Sequence, residues 1–401
     1  MERQTKKMQR AEKETADLPS VPYPTGLPPA GYQTDRSRQT LTLHGQTYAF
    51  SERRQGMLTV RMQAADPVEK DFLQELYEFL EDWFDPSPLI RVHTSGSTGP
   101  PKERTVRKEQ MIQSALLTCR FLRLQKGDKA LLCMPLKYIA GKMMVVRALV
   151  AGLDLIVRAP SGHPFATIDF PLRFAAMIPL QAYNTLRIEA EREQLRRTDI
   201  LLIGGGAIER TLEKEIQTLP NAVYSTYGMT ETLSHIALRK LNGPDASPSY
   251  VPFPSVRLSL TGEGTLRIEA PGVCDETLVT NDLACLGPDG SFTILGRKDN
   301  TINTGGVKIQ IEGVEETLHS IISVNFAITS VPHPKFGEAI VLLVEKGLDR
   351  LRLETEIDCA LEKYRRPKYI VEVEAVPQTG SGKINRAACR ELAKHIISKT
   401  L

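Results

Sequence analysis

The stretch His93-Thr94-Ser95-Gly96-Ser97-Thr98-Gly99-Pro100-Pro101-Lys102 carries the strongest structural signal in the chain. Its glycines allow positive φ angles and exposed N–H groups, while its four Ser and Thr side chains add hydroxyl donors. Lys102 supplies a positive charge that suits a polyphosphate. The Walker pattern G-x-x-x-x-G-K-[ST] is absent because two prolines precede Lys102. The stretch therefore predicts a phosphate-binding loop, and the alternative is a solvated Ser/Gly linker.

The composition of the whole chain excludes several classes of protein. Its 401 residues are 41% hydrophobic and 25% charged, which is ordinary for a protein with a sizeable core. The formal net charge of +3 gives no general attraction to nucleic acid or to an anionic membrane. No segment resembles a signal peptide or a membrane span, and the six scattered cysteines contain no C-x-x-C pair. We therefore expect a soluble cytoplasmic protein with reduced cysteines and no nucleic-acid partner.

The order of apolar patterns predicts two kinds of domain. Between residues 67 and 226, apolar positions at helical spacing alternate with short β-rich runs, which predicts an α/β domain with an at least partly parallel sheet. Short strands with glycine turns follow residue 252 and should be antiparallel. Beyond Asp299, about a hundred residues suffice for a small α+β domain. The strands predicted before Asp299 include 129–134, 153–157, 199–203, 222–226, 257–260, 265–269, 276–280 and 291–295, and one of the predicted helices there is 186–197. Beyond Asp299 the predicted strands are 327–331, 339–344 and 369–376, and the predicted helices are 312–322, 354–363 and 385–397.

The phosphate-binding stretch and four later motifs together resemble the adenylate-forming superfamily of acyl-CoA synthetases, whose loop reads T-S-G-S-T-G-x-P-K. Tyr227-Gly228-Met229-Thr230-Glu231 is similar to the Y-G-x-T-E motif of that family, and Thr280-Asn281-Asp282-Leu283 to its T-G-D-L, with Asn281 in place of glycine. Gly296-Arg297-Lys298-Asp299 matches G-R-x-D. Pro377-Gln378-Thr379-Gly380-Ser381-Gly382-Lys383-Ile384 matches P-x-T-x-x-G-K-I. Five motifs in the order of the family make coincidence very improbable.

The resemblance implies a particular domain organisation. It implies an α/β protein with a large adenylate-forming N-terminal domain of mixed sheets and helices, over residues 33–298, that binds ATP and an acid. A small mobile α+β domain follows at residues 299–401, with a hinge at Asp299, and a flexible segment precedes at residues 1–32. The chain is shorter than the family usually is, mainly before Thr94, so the N-terminal domain should be shortened.

The resemblance also implies a reaction in two steps. A carboxylate attacks the α-phosphate of ATP to give an acyl-AMP and pyrophosphate, and a thiol then takes the acyl group. Lys383 would be the catalytic lysine of adenylation, Glu231 the Mg²⁺ ligand, and Thr230 the neighbour of the α-phosphate. Asp282 would bind the ribose hydroxyls, helped by Arg297; the bland alternative for Asp282 is a turn or cap residue.

The remaining nucleotide and thiol contacts come from loops and glycines. On this resemblance, the phosphate loop (Thr94 to Gly99, with Lys102) and Tyr227, Gly228 and Met229 would face ATP. Gly204-Gly205-Gly206 would lie against the adenine and the acyl group, or form only a tight turn. Gly305, Gly306 and Lys308 would approach the thiol after the domains rotate. Asn300, Ile311 and Gly313 depart from the usual pattern on this thiol side.

The acid pocket is expected near residues 134–147, where Met134-Pro135-Leu136-Lys137-Tyr138-Ile139-Ala140-Gly141 occupies the position of the P-L-F-H-x-x-G segment of the family. Tyr138 would shape this pocket, or pack as an ordinary aromatic residue at a strand end. Lys142 and Arg147 interrupt an otherwise apolar helix. One of them is predicted to meet a second carboxylate on the substrate; the alternative is a charge that reaches the surface.

Within the family, the chain looks most like the o-succinylbenzoate–CoA ligases of menaquinone biosynthesis. Residues 138–144, 201–208 and 227–237 carry this likeness. It implies an ATP-dependent acid–CoA ligase with ATP, Mg²⁺ and coenzyme A, acting on o-succinylbenzoate. The alternatives are an enzyme that activates another aryl or acyl acid, with a carrier protein as acceptor, and a nucleotide-binding regulator without catalysis. The sequence leaves the acid, the acceptor and the oligomeric state open.

Overall fold

A computed structural model describes residues 31–49, 66–93, 103–378 and 384–400 of the chain. Two parts of the predicted site, the phosphate-binding loop at residues 94–102 and Lys383, lie outside the described residues, as does the predicted flexible segment up to residue 30. At the start of the described residues, the Tyr32 hydroxyl donates to the carbonyl oxygens of Cys119 and Leu124, each at 2.9 Å.

The large domain is an α/β structure. In chain order its described strands are β1 (Leu41–Leu43), β2 (Gln46–Tyr48), β3 (Leu89–His93), β4 (Glu103–Arg107), β5 (Lys129–Leu132), β6 (Asp154–Val157), β7 (Leu172–Met177), β8 (Thr198–Ile203), β9 (Ala222–Gly228), β10 (His235–Lys240), β11 (Val251–Pro252), β12 (Arg257–Leu260), β13 (Thr265–Glu269), β14 (Leu278–Leu286) and β15 (Phe292–Arg297). Its described helices are α1 (Pro67–Phe84), α2 (Lys108–Phe121), α3 (Ile139–Ala151), α4 (Pro179–Arg187), α5 (Glu189–Arg196) and α6 (Arg210–Ile216).

Within the described residues, the main sheet has nine strands in the order β2-β1-β6-β5-β7-β8-β9-β10-β11. The pairs from β1 to β9 across this sheet are parallel, and β2, β10 and β11 add antiparallel edges. Apolar residues cover both faces, since Leu131 and Leu132 of β5 enter different core clusters. The prediction of a partly parallel α/β sheet is confirmed.

Local sequence explains where the helices begin and end. Asp66 caps α1 by accepting a hydrogen bond from Val68 N at 3.0 Å, and a proline takes the first helical position. The predicted helix at 186–197 is wrong in extent, because extended backbone at Ile188 separates α4 from α5. No described helix is long and apolar enough to cross a membrane. All six cysteines lie in the described residues, and each is free.

A second sheet of the large domain is antiparallel, as predicted, in the order β12-β13-β14-β15. Its third strand is longer than predicted because pairing with β15 continues to Leu286, past an irregularity after Leu283. Asp282 therefore lies inside a strand opposite Arg297, which contradicts the alternative that it is only a turn or cap residue. In a separate antiparallel pair, β3 lies beside β4, and His93 at the end of β3 faces Glu103 at the start of β4.

The C-terminal part is α+β, as predicted. Its described elements are β16 (Thr301–Thr304), β17 (Val307–Gln310), α7 (Ile311–Leu318), β18 (Phe326–His333), β19 (Gly337–Glu345), α8 (Arg350–Ala360), β20 (Tyr369–Val373) and α9 (Arg386–Thr400). The five strands form one sheet. The β16–β17 hairpin was not predicted; its turn is Gly305-Gly306, where φ angles of +60° and +85° favour glycine.

A buried ion pair joins three elements of this domain. The Glu315 carboxylate on α7 accepts hydrogen bonds from Ile328 N of β18 at 2.8 Å and from Arg386 Nη1 and Nη2 of α9 at 2.5 and 2.7 Å. The Glu315 side chain is 9% exposed and that of Arg386 is 30% exposed. Because the pair is largely out of water, loss of one partner leaves a poorly solvated charge.

We expect Glu315→Ala to lower the free energy of unfolding by about 3 kcal/mol, since it strands the Arg386 guanidinium and the Ile328 N–H. Urea unfolding followed by circular dichroism would measure the change. Glu316→Ala, on an exposed position of the same helix, is the matched control and should stay within about 0.5 kcal/mol of wild type. Equal effects of the two substitutions would contradict the role of the ion pair.

Candidate active site

The predicted nucleotide motifs meet at one edge of the main sheet. The Gly204-Gly205-Gly206 triplet follows β8, and the Tyr227-to-Glu231 motif spans the end of the neighbouring β9, to which β8 pairs in parallel. Carboxyl ends of parallel strands lie at the same edge, where open α/β sheets bind ligands. A Cβ atom on Gly204 would lie 2.2 Å from Thr226 Oγ1, so a side chain there would clash with β9.

Asp282 receives hydrogen bonds from two residues that were predicted to serve the nucleotide. The Tyr227 hydroxyl donates to Asp282 Oδ2 at 2.6 Å, and Arg297 Nη1 donates to Oδ1 at 3.4 Å. Burial, and then the neighbouring Asp282 charge, raise the pKa of Tyr227, so its hydroxyl stays protonated and a donor. Each carboxylate oxygen keeps a lone pair for another donor, as binding of two ribose hydroxyls would require.

Arg297 also binds Asp299 at the predicted hinge. Its Nε and Nη2 atoms donate to the two Asp299 carboxylate oxygens at 2.9 and 3.0 Å. Burial acts to raise the pKa of Asp299, but the hydrogen bonds and the charge of Arg297, together with a backbone hydrogen bond, lower it overall. Beyond the hinge, Gln310 Nε2 donates to Arg297 O at 2.6 Å, and Asn300 Nδ2 donates to Glu312 Oε1 at 2.5 Å. These bonds fix the chain between β15 and β16.

Glu231, the predicted Mg²⁺ ligand, lies in a 3₁₀ turn at Thr230–Thr232 directly after β9. Arg104 Nη1 on β4 donates to Glu231 Oε1 at 2.7 Å, and the Glu231 side chain remains 36% exposed. No described residues form a cluster of three or more His, Cys, Asp or Glu side chains that could hold a metal. A single carboxylate fits Mg²⁺, which typically binds one or two carboxylates and completes its shell with phosphates and water.

Tyr138 lies at the N-terminus of α3 and forms an isolated parallel bridge with His93, the last residue of β3. The first turn of α3 packs closely on the preceding segment, since a Cβ on Gly141 would lie 2.4 Å from Pro135 O. The bridge therefore joins the segment predicted to form the acid pocket to the end of β3, and the role of Tyr138 at the acid stays a prediction.

The two cations of α3, Lys142 and Arg147, differ in their burial and in their hydrogen-bond partners. Lys142 Nζ donates to Arg91 O at 2.7 Å, and burial lowers the pKa of its ammonium group. Arg147 is 3% exposed, which contradicts the alternative that it reaches the surface. Its Nη2 donates to Ser234 Oγ at 2.5 Å, and within the described chain its buried Nε has no hydrogen-bond partner.

Arg147 has no carboxylate counterion within the part of the chain that the structure describes. Burial lowers the pKa of its guanidinium to about 10, which still leaves it protonated at neutral pH. No ion pair with a carboxylate is found for it among the described residues, although Ser234 and the ring of His235 lie beside it. A buried cation with an open donor is a ready partner for an anionic ligand.

The sequence interpretation missed two features of the site. Arg104 was not singled out, and its contact with Glu231 spans 127 positions, which no local pattern encodes. Tyr250 and Phe292 surround Tyr227, with ring centroids 5.8 and 5.2 Å from it. Tyr250 directly precedes β11 and Phe292 begins β15 in the second sheet, so no local pattern beside the Y-G-x-T-E motif pointed to them.

The fold combines a large α/β part with a small C-terminal α+β part. The family model for AMP-binding enzymes matches residues 38–279, and the chain belongs to this family. Its activity is that of an AMP-forming acid–CoA ligase, with coenzyme A as the fitting co-substrate.

Curated relatives and solved structures agree with this assignment. The 2-succinylbenzoate–CoA ligase of Lactococcus lactis is 24% identical over 325 residues, which are 76% of this chain and 71% of that protein. An acyl-CoA synthetase (AMP-forming)/AMP-acid ligase II-like protein from Dyadobacter fermentans is 35% identical, with a TM-score of 0.56 over 82% of this chain and 95% of that one. The o-succinylbenzoate coenzyme A synthetase of Bacillus subtilis, solved with ATP and magnesium ion, is 20% identical, with a TM-score of 0.62 over 74% of this chain and 68% of that one.

The approach of β9 to β10 yields a prediction for Gly228. A Cβ there would lie 2.3 Å from Ser234 O and 2.5 Å from His235 Cα, so Gly228→Ala must separate the two strands. We expect acid-dependent ATP–pyrophosphate exchange to fall about a hundredfold, because displacements near 1 Å cost that much in an aligned site. Gly262→Ala is the control, since nothing lies within 4 Å of its Cβ. Full activity of Gly228→Ala would contradict the packing argument.

Proposed function

We propose that this enzyme activates o-succinylbenzoate as an acyl-AMP and transfers the acyl group to coenzyme A, as the 2-succinylbenzoate–CoA ligases that it resembles do by name. The observation that carries the choice of substrate is Arg147, a buried guanidinium without a carboxylate partner in the described chain. An acid with two carboxylates can present one to ATP and the other to this cation. We expect the reaction to run in the cytoplasm, where both ATP and coenzyme A are supplied.

The proposed adenylation step brings two anions together and therefore needs cations and fixed donors. Asp282, held by Tyr227 and Arg297, would accept the ribose hydroxyls. Glu231 would hold Mg²⁺, which supplies charge neutralisation at the phosphates, and Thr230 would lie beside the α-phosphate. Lys383 and the loop at residues 94–102 would complete the phosphate contacts, in the roles that the family motifs imply.

The position of Arg147 supports the second contact. Ser234, which accepts from its guanidinium, follows the 3₁₀ turn of Glu231 and lies across the β9–β10 ladder from Gly228. A carboxylate at Arg147 would therefore lie on the same side of β9 and β10 as the adenylating motif. Lys142 is the weaker candidate because a backbone carbonyl already accepts from its ammonium group.

For the second step, we propose rotation about Asp299. The two hydrogen bonds between Arg297 and Asp299 would be exchanged, Lys383 would leave the site, and the Gly305-Gly306 turn would approach the thiol. The exposed Gly305-Gly306 turn has no side chains to obstruct that approach. The alternative acceptor is a carrier-protein phosphopantetheine, which carries the same thiol.

The wild-type enzyme should catalyse ATP–pyrophosphate exchange with o-succinylbenzoate and form its thioester when coenzyme A is added. A panel of fatty, benzoic and dicarboxylic acids provides the comparison. Exchange only with simple monocarboxylic acids would contradict the proposed substrate, and exchange without thioester formation would favour a carrier protein. No exchange with any acid would favour a nucleotide-binding regulator.

Arg147→Met should raise the KM for o-succinylbenzoate about a hundredfold, because it removes a charged donor from a poorly solvated site. Lys142→Met, on the same helix, should leave that KM within about twofold, because its contact is a surface hydrogen bond to a backbone carbonyl. Steady-state kinetics with each variant would check both values. If Lys142→Met raised this KM strongly and Arg147→Met did not, Lys142 and not Arg147 would be the partner of the second carboxylate.

A further inference from the structure

A chain of hydrogen bonds connects Arg147 to α2 through residues outside the predicted site. Arg147 Nη2 contacts Ser234 Oγ at 2.5 Å, and Ser234 Oγ contacts His235 Nδ1 at 3.3 Å. His235 Nε2 then contacts Thr118 Oγ1 at 3.0 Å, and Thr118 Oγ1 contacts Ser114 O at 3.4 Å. The chain crosses from α3 through β10 to α2.

All the hydrogen bonds in this chain can be donated in the same direction, from Arg147 toward Ser114. The guanidinium has only donors, so Ser234 Oγ accepts from Arg147. At the other end, a carbonyl only accepts, so Thr118 gives its single hydroxyl proton to Ser114 O and must accept from His235 Nε2–H. His235 Nδ1 is then the bare nitrogen and accepts the proton of Ser234. Each group that donates a hydrogen bond onward therefore becomes a better acceptor for the group that precedes it in the chain.

The surroundings keep His235 in the neutral form that this direction needs. Its side chain and that of Thr118 are buried, and its ring packs against Phe253 with centroids 5.6 Å apart. Burial, and then the charge of Arg147, hold the pKa of His235 well below its usual value. Only a neutral imidazole can accept at one nitrogen and donate at the other.

We propose that Thr118, His235 and Ser234 position the Arg147 guanidinium for the second carboxylate of a dicarboxylic acid, so that Thr118 and His235 control substrate selectivity without contacting substrate. The inference rests on the proposed function, since it assigns to Arg147 the recognition of that carboxylate. Because Ser234 Oγ gives its proton to His235, it becomes a better acceptor for Arg147. The guanidinium is thus held at one point, and its other donors remain available.

Thr118→Val tests the far end of the chain without opening a cavity, because valine has nearly the shape of threonine. His235 Nε2–H loses its acceptor, the ring changes tautomer, and Ser234 no longer gives its proton to Nδ1. We expect the KM for o-succinylbenzoate to rise about tenfold with kcat within about twofold. Thr118→Ser restores the hydroxyl and should return the KM toward the wild-type value.

Two substrate analogues distinguish a loss of Arg147 positioning from a general structural effect of the substitution. Each lacks one carboxylate of o-succinylbenzoate: 4-oxo-4-phenylbutanoate lacks that of the ring, and 2-butanoylbenzoate that of the side chain. The analogue that the wild-type enzyme activates is the reference acid, and Thr118→Val should leave its KM unchanged. A purely structural role of the chain would instead lower the melting temperature and impair both acids in the same proportion, which would overturn the inference.

Ser234→Ala breaks the chain at its other end, on a half-buried residue, and keeps the test decisive if Thr118→Val does not fold. It should raise the KM for the dicarboxylic acid at least as much, and the double variant should be no worse than Ser234→Ala alone. Thr185→Val on α4 is the matched control and should leave this KM unchanged: this threonine is fully buried, and its hydroxyl has no partner among the described residues.

The outcomes distinguish the two proposals. If the wild-type enzyme shows no exchange with o-succinylbenzoate or any other dicarboxylic acid, the proposed function is overturned, and the inference with it. Wild-type enzyme that prefers the dicarboxylic acid, while Thr118→Val and Ser234→Ala both keep its KM, overturns the inference alone. A selective rise in KM in both variants, with rescue by Thr118→Ser, supports it.

Discussion

At Gly228 the backbones of β9 and β10 approach so closely that a Cβ atom would lie 2.3 Å from Ser234 O. Both halves of the site depend on this contact. Tyr227, one residue earlier, holds Asp282, and Glu231 follows in the 3₁₀ turn that connects the two strands. On the opposite strand, Ser234 holds Arg147. The strand pair therefore fixes the groups for the nucleotide relative to the group proposed for the acid.

Much of the fold was predictable because buried parallel strands are continuous apolar runs. The strands that became β8 and β9 were predicted to within two residues at each end, and the family motifs gave their order. The β16–β17 hairpin was not predicted because its strands are short and half polar. They are Thr301–Thr304 and Val307–Gln310. The break between α4 and α5 escaped because it depends on the backbone of Ile188, which has no breaker residue beside it.

The site was predictable only where function leaves a local motif. Asp282, Glu231 and Arg297 lie in short stretches of fixed spacing, so their proximity to Tyr227 or to one another could be expected. The pairing of Thr118 with His235 joins residues 117 positions apart, and no sequence motif contains both of them. What a polar residue inside an apolar helix or strand contacts depends on tertiary packing, which the sequence pattern does not encode.

Three cations with long side chains differ in whether a carboxylate of the described residues pairs with them. Lys108 is 1% exposed, and its ammonium lies 2.6 Å from an Asp85 carboxylate oxygen. Arg386 has both terminal nitrogens on Glu315. Arg147 is as deeply placed as Lys108, yet its described partners are a hydroxyl and a thioether. Burial of an unpaired cation costs stability. Under the proposed function, the second carboxylate of the substrate would offset that cost by binding Arg147 during the reaction.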